Sequence, residues 1–431
     1  MRGVSRRQPW RRATIGLGLG AMCATVAACG ASGAGSSALT VGIFHAYSGP
    51  NAAYGPEAAA GCYPAVKLIN AAGGVLGHTL QCKPYDSKGD PADAVPAANE
   101  LIATTPSLVG VLGGGTSTAT AVVPIFNSAH IPVFSTTGQS SFDATTDAYF
   151  WRILSPDAAQ GSAMAAAAKR LGFTRIATVF GNDSSAQGSA PAAIAGVRAL
   201  GLDLVANQTL AIDQASYSSQ VQQLIAARPQ VIISEADPQT SATYLSELKQ
   251  LGNLVPMITD PVSQEPPWIQ AVSGVIGKAD LQRLDYIVTV YSSPNTPAYA
   301  EYTKALMSSK AQVPQPGQWD SDLYSVSDYD SVNIMALAMI ASHSTKPSVF
   351  NKWIMKVTSP SPGAEVVHTF AAGKAALDQG KAIQYVGAVG PTVFNQYHNS
   401  GQSFGIERNH SGNFVLSILL TPAEVNAAAG Q

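Results

Sequence analysis

A regular alternation of short apolar runs with helical segments, beginning at Leu39, most constrains the fold of this chain. The apolar runs predict strands at 39–44, 79–85, 108–112 and 131–135. Helices are predicted at 57–72, at 91–105 and from the end of the third run to about 129, and Pro64 should kink the first helix or delay its start. Strands and helices in this order are typical of a parallel α/β sheet, which binds ligands beyond the carboxyl ends of its strands.

The same alternation restarts after residue 155, with further strands predicted at 175–180, 203–209, 230–234, 255–259, 284–290, 383–386 and 415–420. A chain of 431 residues is too long for one ordinary hydrophobic core, so we expect two lobes. Short extended segments near residues 152, 287 and 386 are candidate crossings between them. These crossings assign 39–153 plus 288–386 to an N-terminal lobe and 154–287 plus 387–425 to a C-terminal lobe.

The N-terminus has the pattern of an export signal. Five arginines within residues 2–12 precede a segment of small apolar residues that ends in Val26-Ala27-Ala28-Cys29. This tetrad resembles the bacterial lipobox, in which removal of residues 1–28 leaves a lipidated Cys29 as the new N-terminus. The alternative is a plain secretory signal with an incidental cysteine, and the Sec and twin-arginine routes both stay open.

Residues 30–38 contain only Gly, Ala and Ser, so 29–38 is predicted to be a lipidated, flexible tether. No later segment has eighteen uninterrupted apolar residues. We therefore expect an exported protein that is anchored by lipid to the outer face of the cytoplasmic membrane.

The charge balance argues against a nucleic-acid partner. The chain has 25 basic and 27 acidic residues, and 20 basic residues remain once the five arginines of the signal are removed. Neither basic runs nor alternating basic and aromatic residues occur, and both would be expected in a nucleic-acid binder.

Two cysteines, Cys62 and Cys82, remain after the signal and the lipidation site are set aside. In an exported protein such a pair favours a disulfide. Cys62 lies on the first predicted helix and Cys82 on the second predicted strand, and these elements are neighbours in a doubly wound sheet. The alternative is two buried thiols. The seven histidines lack metal-ligand spacing, so no metal site is expected.

The stretch from Ser107 to Thr120 is the strongest candidate for ligand binding. Gly113, Gly114 and Gly115 end a buried strand and are followed by Thr116 and Ser117. The glycines let the backbone approach a ligand, and a hydroxyl with the free N–H groups of a helix start favours an anionic group. The alternative is a turn that merely connects strand and helix.

Catalysis is not expected. The sequence contains no His-Glu-x-x-His pair and no phosphate loop with Gly-Lys-Ser/Thr. Without an activated nucleophile or an acid–base pair, a binding protein without a cofactor is the better hypothesis.

Several short motifs, in their order and spacing, resemble those of the type I periplasmic solute-binding proteins of ABC transporters, in particular the branched-chain amino acid group. They are Ser48-Gly49-Pro50, Ile69-Asn70-Ala71-Ala72-Gly73-Gly74, Asp90-Pro91, Phe150-Trp151-Arg152, Pro156-Asp157, Ser327-Asp328-Tyr329-Asp330 and Gly387…Gly390. The resemblance covers nearly all of 39–420. It implies two doubly wound parallel-sheet lobes that are joined by three crossings and close on a solute.

The resemblance also implies a ligand site in the first lobe. Thr116, next to Gly115, takes the place of the carboxylate-binding serine of the family. The loop that starts at Ser135 contributes Thr137, whose carbonyl would meet the solute's ammonium group, and Gln139, where the family has a hydroxyl residue. Tyr54 matches an aromatic residue over the side-chain pocket.

In the second lobe the family pattern is altered. Ser185 stands where the family has a tyrosine, and Asp260 is nearest to the position of the acid that binds the ammonium group. Glu235 or Asp237 would be alternatives to Asp260. Each of these acids could instead cap a helix or favour its dipole. Trp319 and Tyr324 lie in a loop that lines or covers the cleft.

The prediction is a monomeric, extracytoplasmic substrate-binding lipoprotein of an ABC importer, which delivers a small polar solute to permease subunits. A branched-chain or related amino acid is the first candidate solute. The alternatives are an amide, urea or aromatic acid as the solute, or a role as the ligand-binding accessory of a sensor.

Overall fold

The first predicted series of strands forms a five-stranded parallel sheet with the order β2-β1-β3-β4-β5. The computed structural model describes residues 38–49, 51–290, 296–401, 403–410 and 413–430. The elements of this part are β1 (Leu39–His45), α1 (Pro56–Ala71), β2 (Leu80–Asp86), α2 (Pro91–Thr104), β3 (Leu108–Gly113), α3 (Ala119–Ser128), β4 (Val133–Ser135) and β5 (Phe150–Arg152). All residues of β3 and β4 are buried, as expected for strands covered on both faces.

Helix α1 corrects the expectation of a late start at Pro64. It begins at Pro56 and continues through Pro64, which is buried. A proline at the first helical position is favourable because its fixed φ suits the helix and its missing N–H would have had no partner there. Tertiary contacts offset the interruption at Pro64, since α1 packs along α11 (Leu323–Ala341), the longest helix of the described chain.

The second series forms a seven-stranded sheet with the order β16-β15-β10-β9-β8-β6-β7. Its elements before residue 291 are α4 (Asp157–Arg170), β6 (Arg175–Gly181), α5 (Ala186–Ala199), β7 (Asp203–Leu210), α6 (Ser218–Ala227), β8 (Val231–Glu235), α7 (Pro238–Gln250), β9 (Met257–Thr259), α8 (Pro266–Ile276), α9 (Lys278–Leu284) and β10 (Asp285–Val290). The five strands from β6 to β10 are parallel. The two-lobed α/β class predicted from the sequence is therefore confirmed.

The last two strands of this sheet are antiparallel, which the sequence did not indicate. Strand β15 (Phe404–His410) pairs antiparallel with β10 and with β16 (Asn413–Leu419), so the second sheet is mixed rather than wholly parallel. The apolar pattern of 404–410 is interrupted by Glu407 and Arg408, which hid this strand. The alanine-rich tail then forms α15 (Pro422–Ala428) with a capping box between Thr421 and Glu424.

Between these parts the chain returns to the first lobe. The returning elements are α10 (Pro297–Met307), α11, α12 (Pro347–Phe350), α13 (Ile354–Thr358), β11 (Glu365–Val367), α14 (Phe370–Asp378) and β12 (Ile383–Tyr385). A separate two-stranded sheet of β13 (Val393–Phe394) and β14 (Ser400–Gly401) follows them. Helix α10 and helix α14 pack on α1 and α11. The chain therefore passes between the sheets after β5, after β10 and before β15, which gives the three crossings.

Cys62 of α1 and Cys82 of β2 form a disulfide whose Cα atoms are 6.2 Å apart. The predicted pairing is confirmed. Cys62 is fully buried, so the bond ties the first helix to the edge strand of the first sheet from inside the core.

The predicted signal segment, Cys29 and all of the predicted tether except its last residue lie outside the described residues. Within the part of the chain that is described, none of the helices has the length and hydropathy that a membrane crossing requires.

Candidate functional site

A cavity of about 670 Å³ lies at the carboxyl ends of strands from both sheets. On the first-lobe side it is lined by the loops after β1, β3 and β4, and on the second-lobe side by those after β6, β7, β8 and β9. Its volume is within the range of sites for small molecules, and its position is the one expected for α/β sheets.

The structure brings five of the predicted site residues to this cavity and leaves four away from its lining. Those that line it are Tyr54, Gly115, Thr116, Ser185 and Glu235. Those that do not are Ser135, Thr137, Gln139 and Asp260.

The three glycines at the end of β3 have different structural roles. Gly113 has φ +143° and Gly114 has φ +66°, and a Cβ at Gly113 would collide with the carbonyl oxygen of Phe44. These two glycines therefore serve the turn and the close approach of β3 to β1. Only Gly115 lines the cavity, where a Cβ would have open space.

The predicted helix cap by Thr116 or Ser117 is wrong, because α3 begins later. Its N-cap residue is Thr118, whose hydroxyl donates to the carbonyl oxygen of Gly115 at 3.3 Å. The same carbonyl accepts the N–H groups of Thr118 and Ala119 and closes the turn. Among the described residues, the N–H groups of Thr116 and Ser117 have no hydrogen-bond partner, and both residues line the cavity. They are donors available to an acceptor group of a ligand.

The loop after β4 reaches the cavity through Thr136 and Gly138 rather than through the predicted residues. The buried hydroxyl of Ser135 donates to the carbonyl oxygen of Gly114 at 2.6 Å and so joins the two first-lobe loops. Thr137 is fully buried, with its N–H directed to Ser135 Oγ at 3.2 Å. These residues shape the loops and do not face the cleft.

In the second lobe Ser185 and Glu235 act as a pair. The hydroxyl of Ser185 donates to Oε1 of Glu235 at 2.8 Å, while Oε2 has no hydrogen-bond partner in the described chain. Burial raises the pKa of Glu235 to about 7, although the hydroxyls of Ser189 and Ser185 oppose the shift. The charge of this carboxyl is therefore sensitive to what occupies the cavity.

Asp157, at the start of α4, lines the cavity but was not among the predicted site residues. It lies between Gly138 of the first lobe and Gly188 of the second, where a Cβ on either glycine would collide with its carboxylate. Burial, and then the charge of Glu235, raise its pKa to about 8, while the charge of Arg152 lowers it. The motif Pro156-Asp157 contained the signal that could have identified it.

Asp237 and Asp260 cap helices, as the alternative interpretation predicted. Asp237 accepts the N–H groups of Gln239 and Thr240, each at 3.0 Å, at the start of α7, and it also lines the cavity. Asp260 accepts the N–H of Val262 at 3.3 Å at the start of the short 3₁₀ helix Pro261–Gln264.

Two aromatic predictions have different outcomes. Tyr324, at the start of α11, lines the cavity together with Tyr54. Trp319 is buried away from it, and its carbonyl oxygen accepts a hydrogen bond from the hydroxyl of Tyr302 at 2.9 Å.

The cavity is strongly acidic. Its described lining contains seven carboxylates and neither lysine nor arginine; the acids are Glu57, Asp157, Asp183, Asp213, Glu235, Asp237 and Glu265. His45 also lines it, but burial lowers the pKa of His45 to about 4, so the imidazole is neutral at neutral pH. Within the described residues, no three His, Cys, Asp or Glu side chains are arranged to hold a metal ion. Glu57 was missed because it is a single acid within an apolar helical pattern, and Glu265 because it lies outside the predicted strands and helices.

The fold and the cleft together define a two-lobed architecture of the type I solute-binding kind. The chain belongs to the periplasmic binding protein family, whose model matches residues 38–398. The resemblance inferred from the sequence motifs is thereby confirmed.

Curated relatives match only in part. The chain is 35% identical over 79 residues to the Leu/Ile/Val-binding protein homolog 3 of Brucella melitensis, and 42% identical over 64 residues to the Leu/Ile/Val-binding protein of Escherichia coli K12. These segments are 18% and 15% of this chain, and they span 22% and 17% of the relatives. The chain thus matches about a fifth of the length of these relatives.

Solved structures match over the whole fold. The branched-chain amino acid transporter substrate-binding protein LivJ from Streptococcus pneumoniae, in complex with isoleucine, superimposes with a TM-score of 0.72 and 16% identity and covers 90% of this chain and 100% of its own. A solute-binding protein of an ABC transporter from R. palustris, in complex with benzoate, has a TM-score of 0.68 and 16% identity and covers 89% and 96%. At such identities the likeness shows the shared fold.

Proposed function

We propose that this protein is the extracytoplasmic substrate-binding component of an ABC importer and delivers a small, amino-acid-like solute to its permease. The observation that carries the proposal is the pairing of unlike groups across one cavity. Free N–H groups of Thr116 and Ser117 line one part, and the Ser185–Glu235 pair lines another. A solute with a carboxylate and an ammonium group matches both.

The neighbours support this class of solute. The Streptococcus pneumoniae protein was solved with isoleucine, which supports a branched-chain or related amino acid here. The benzoate complex from R. palustris keeps an aromatic acid as a second candidate. The seven acidic side chains around the cavity favour a solute that carries an ammonium group over one that carries only a carboxylate, because a cation stabilises their ionised form and an anion does not.

The proposal also includes a lipid anchor, a monomeric state and the bounds of the two lobes. Cys29 is proposed as the lipid anchor after removal of residues 1–28, and the mature protein is proposed to be a monomer. The proposed lobes are 39–153 plus 288–386 and 154–287 plus 387–425. Equal partitioning of the wild type and Cys29→Ala into detergent would argue against the anchor.

Thermal unfolding in the presence of candidate solutes tests the binding function. Amino acids, amides, ureas and aromatic acids are each added to the purified protein, and one class should raise the melting temperature. At a hundred times its Kd a solute adds about 2.7 kcal/mol to the free energy of unfolding. No shift with any class would contradict the proposal.

A further inference from the structure

Two buried carboxyl groups at the cavity make no side-chain hydrogen bond with the described residues. Glu57, on α1 of the first lobe, is 5% exposed, and Glu265, before α8 of the second lobe, is 4% exposed. Both line the cavity. The side chain of Glu265 makes no hydrogen bond with the described residues. Oε1 of Glu57 lies 3.9 Å from Nε2 of His45. Since His45 is neutral, this contact does not neutralise Glu57.

Three of the other acids nearby, Asp183, Asp237 and Asp322, differ in this respect. Asp237 accepts two main-chain N–H groups of α7, and Asp183 accepts the N–H groups of Ser185 and Ala186. Asp322, which adds charge next to Glu57 and Glu265, accepts the N–H of Ser325 at 2.8 Å. A buried carboxylate with neither a hydrogen bond nor a counter-ion is costly, so Glu57 and Glu265 either hold a proton or pair with a cation that the chain itself does not supply.

The surroundings of these two acids favour an organic cation over a metal ion. The described residues hold no group of three metal-ligating side chains. The rings of Tyr54 and Tyr324 line the same cavity, and the charges of Glu265 and Glu57 are among the causes that raise the pKa of both tyrosines, after burial. An ammonium or guanidinium group is attracted by carboxylates and by aromatic faces alike.

We propose that the solute carries a second cationic group, an ammonium or guanidinium at the end of its side chain, which binds between Glu57 and Glu265 beside Tyr54 and Tyr324. This inference rests on the proposed solute-binding function. The solute would then have a basic side chain instead of a branched-chain one. Because Glu57 and Glu265 come from different lobes, the cationic group joins the two halves of the cleft.

Matched pairs of amino acids test the proposal. L-Arginine is compared with L-citrulline, and L-lysine with L-norleucine, so that each pair differs chiefly in the terminal charge. In calorimetric titrations of the wild type, the charged member of at least one pair should bind at least about tenfold more tightly than the neutral member, as for loss of one charged hydrogen bond. This ratio decides the proposal without any variant.

Three variants locate the effect. Glu57→Gln and Glu265→Gln should each reduce the ratio of affinities at least about threefold, because each removes a negative charge. Both substitutions keep the shape of the side chain. Glu365→Gln is the matched control, since Glu365 is exposed and pairs with Lys381 at 2.8 Å away from the cavity. An unchanged ratio in both cavity variants would overturn the assignment to these two residues.

The outcome also separates this inference from the function on which it rests. If isoleucine, norleucine or citrulline binds as tightly as arginine and lysine do, the second cationic site is refuted and the solute-binding function stands. If none of these amino acids binds, the second cationic site is refuted, and the thermal screen with amides, ureas and aromatic acids decides the solute-binding function.

Binding of a cation should release protons. Burial, followed by the charges of Asp322 and Glu265, raises the pKa of Glu57 well above its usual range, and burial with Asp322 and Asp260 does the same for Glu265. Asp328 adds to the effect on Glu57. A bound cation lowers both pKa values, so the affinity for arginine or lysine should rise as the pH is raised. A pH-independent affinity for the charged member would contradict the proposed contact.

Discussion

Oδ2 of Asp330, in the middle of α11, accepts a hydrogen bond of 2.7 Å from the main-chain N–H of Val389. Oδ1 accepts two more, from the N–H of Ala388 at 3.0 Å and the hydroxyl of Tyr385 at 2.8 Å. A Cβ at Gly387 would collide with this carboxylate. The two sequence motifs around Asp330 and Gly387 therefore form one buried anchor for the segment that follows β12.

Removing this anchor should destabilise the fold. Asp330→Ala leaves buried N–H groups without an acceptor, so we expect the free energy of unfolding to fall by about 2–4 kcal/mol. Urea denaturation measures the change. Asp378→Ala is the control, because Asp378 is exposed and pairs only with Lys374 on the surface of α14, and it should cost at most about 0.5 kcal/mol. Equal midpoints for the two variants would contradict the role of Asp330.

The disulfide should contribute measurably to stability. Cys62 and Cys82 are 20 residues apart, and closing a loop of that length in the unfolded chain corresponds to about 3 kcal/mol. The double variant Cys62→Ala/Cys82→Ala should show this loss in denaturant unfolding. A reducing agent should lower the stability of the wild type and leave the double variant unchanged; an insensitive wild type would argue against the bond.

Thr116→Val should weaken solute binding without unfolding the protein. The change removes a hydroxyl at the cavity and keeps the shape of the side chain, so Kd for the solute found by thermal screening should rise at least about tenfold. Thr120→Val is the matched control, since Thr120 is exposed on α3 and does not line the cavity. The same Kd in both variants would remove the hydroxyl of Thr116 from the site; the main-chain N–H of this residue is unchanged by the substitution.

The solute-free protein should become less stable between pH 7 and pH 9. Burial raises the pKa of Asp157 to about 8 and the pKa values of Glu235, Asp285 and Glu407 to about 7, so the folded state holds protons that the unfolded state has lost. Stability from such groups is present below their ordinary pKa and is lost as the pH rises through the folded value. The histidines with lowered pKa, His45 and His398, do not oppose this trend above pH 7 because they are neutral in both states.

Melting temperatures at pH 7, 8 and 9 measure this slope. Asp157→Asn should flatten it, because the variant has no proton to lose at that position. A melting temperature that rises with pH over this range would show that the buried carboxyls are charged in the folded state already at pH 7.

Local sequence patterns predicted the order of strands and helices well. They failed where tertiary contacts outweigh a local preference. Helix α1 starts at Pro56 rather than later, because it accommodates the internal Pro64. Strand β15 was missed because its pairing with β10 and β16 is decided by distant partners rather than by its own alternation.

Some of the predicted site residues line the cavity in the structure, and others do not. The glycine loop was predicted from its own residues, Tyr54 and Ser185 from the family resemblance and Glu235 as an alternative acid, and the structure brings all of them to the cavity. Ser135 and Thr137 were placed at the solute, but their polar groups are used by the neighbouring loop. A motif locates a loop in the chain, whereas which of its atoms face outward depends on the hydrogen bonds made inside it.

By itself, the sequence determined the α/β class, the number of lobes and the Cys62–Cys82 bond, because hydrophobic periodicity and cysteine pairing are local or nearly local properties. Only the tertiary structure decided the chemistry of the cleft. It brings Glu57 and Glu265 from opposite lobes to one cavity that contains no lysine or arginine in its described lining. The physical reason is that the free energy of a buried charge depends on what surrounds it in space, and 208 residues of chain separate these two carboxylates.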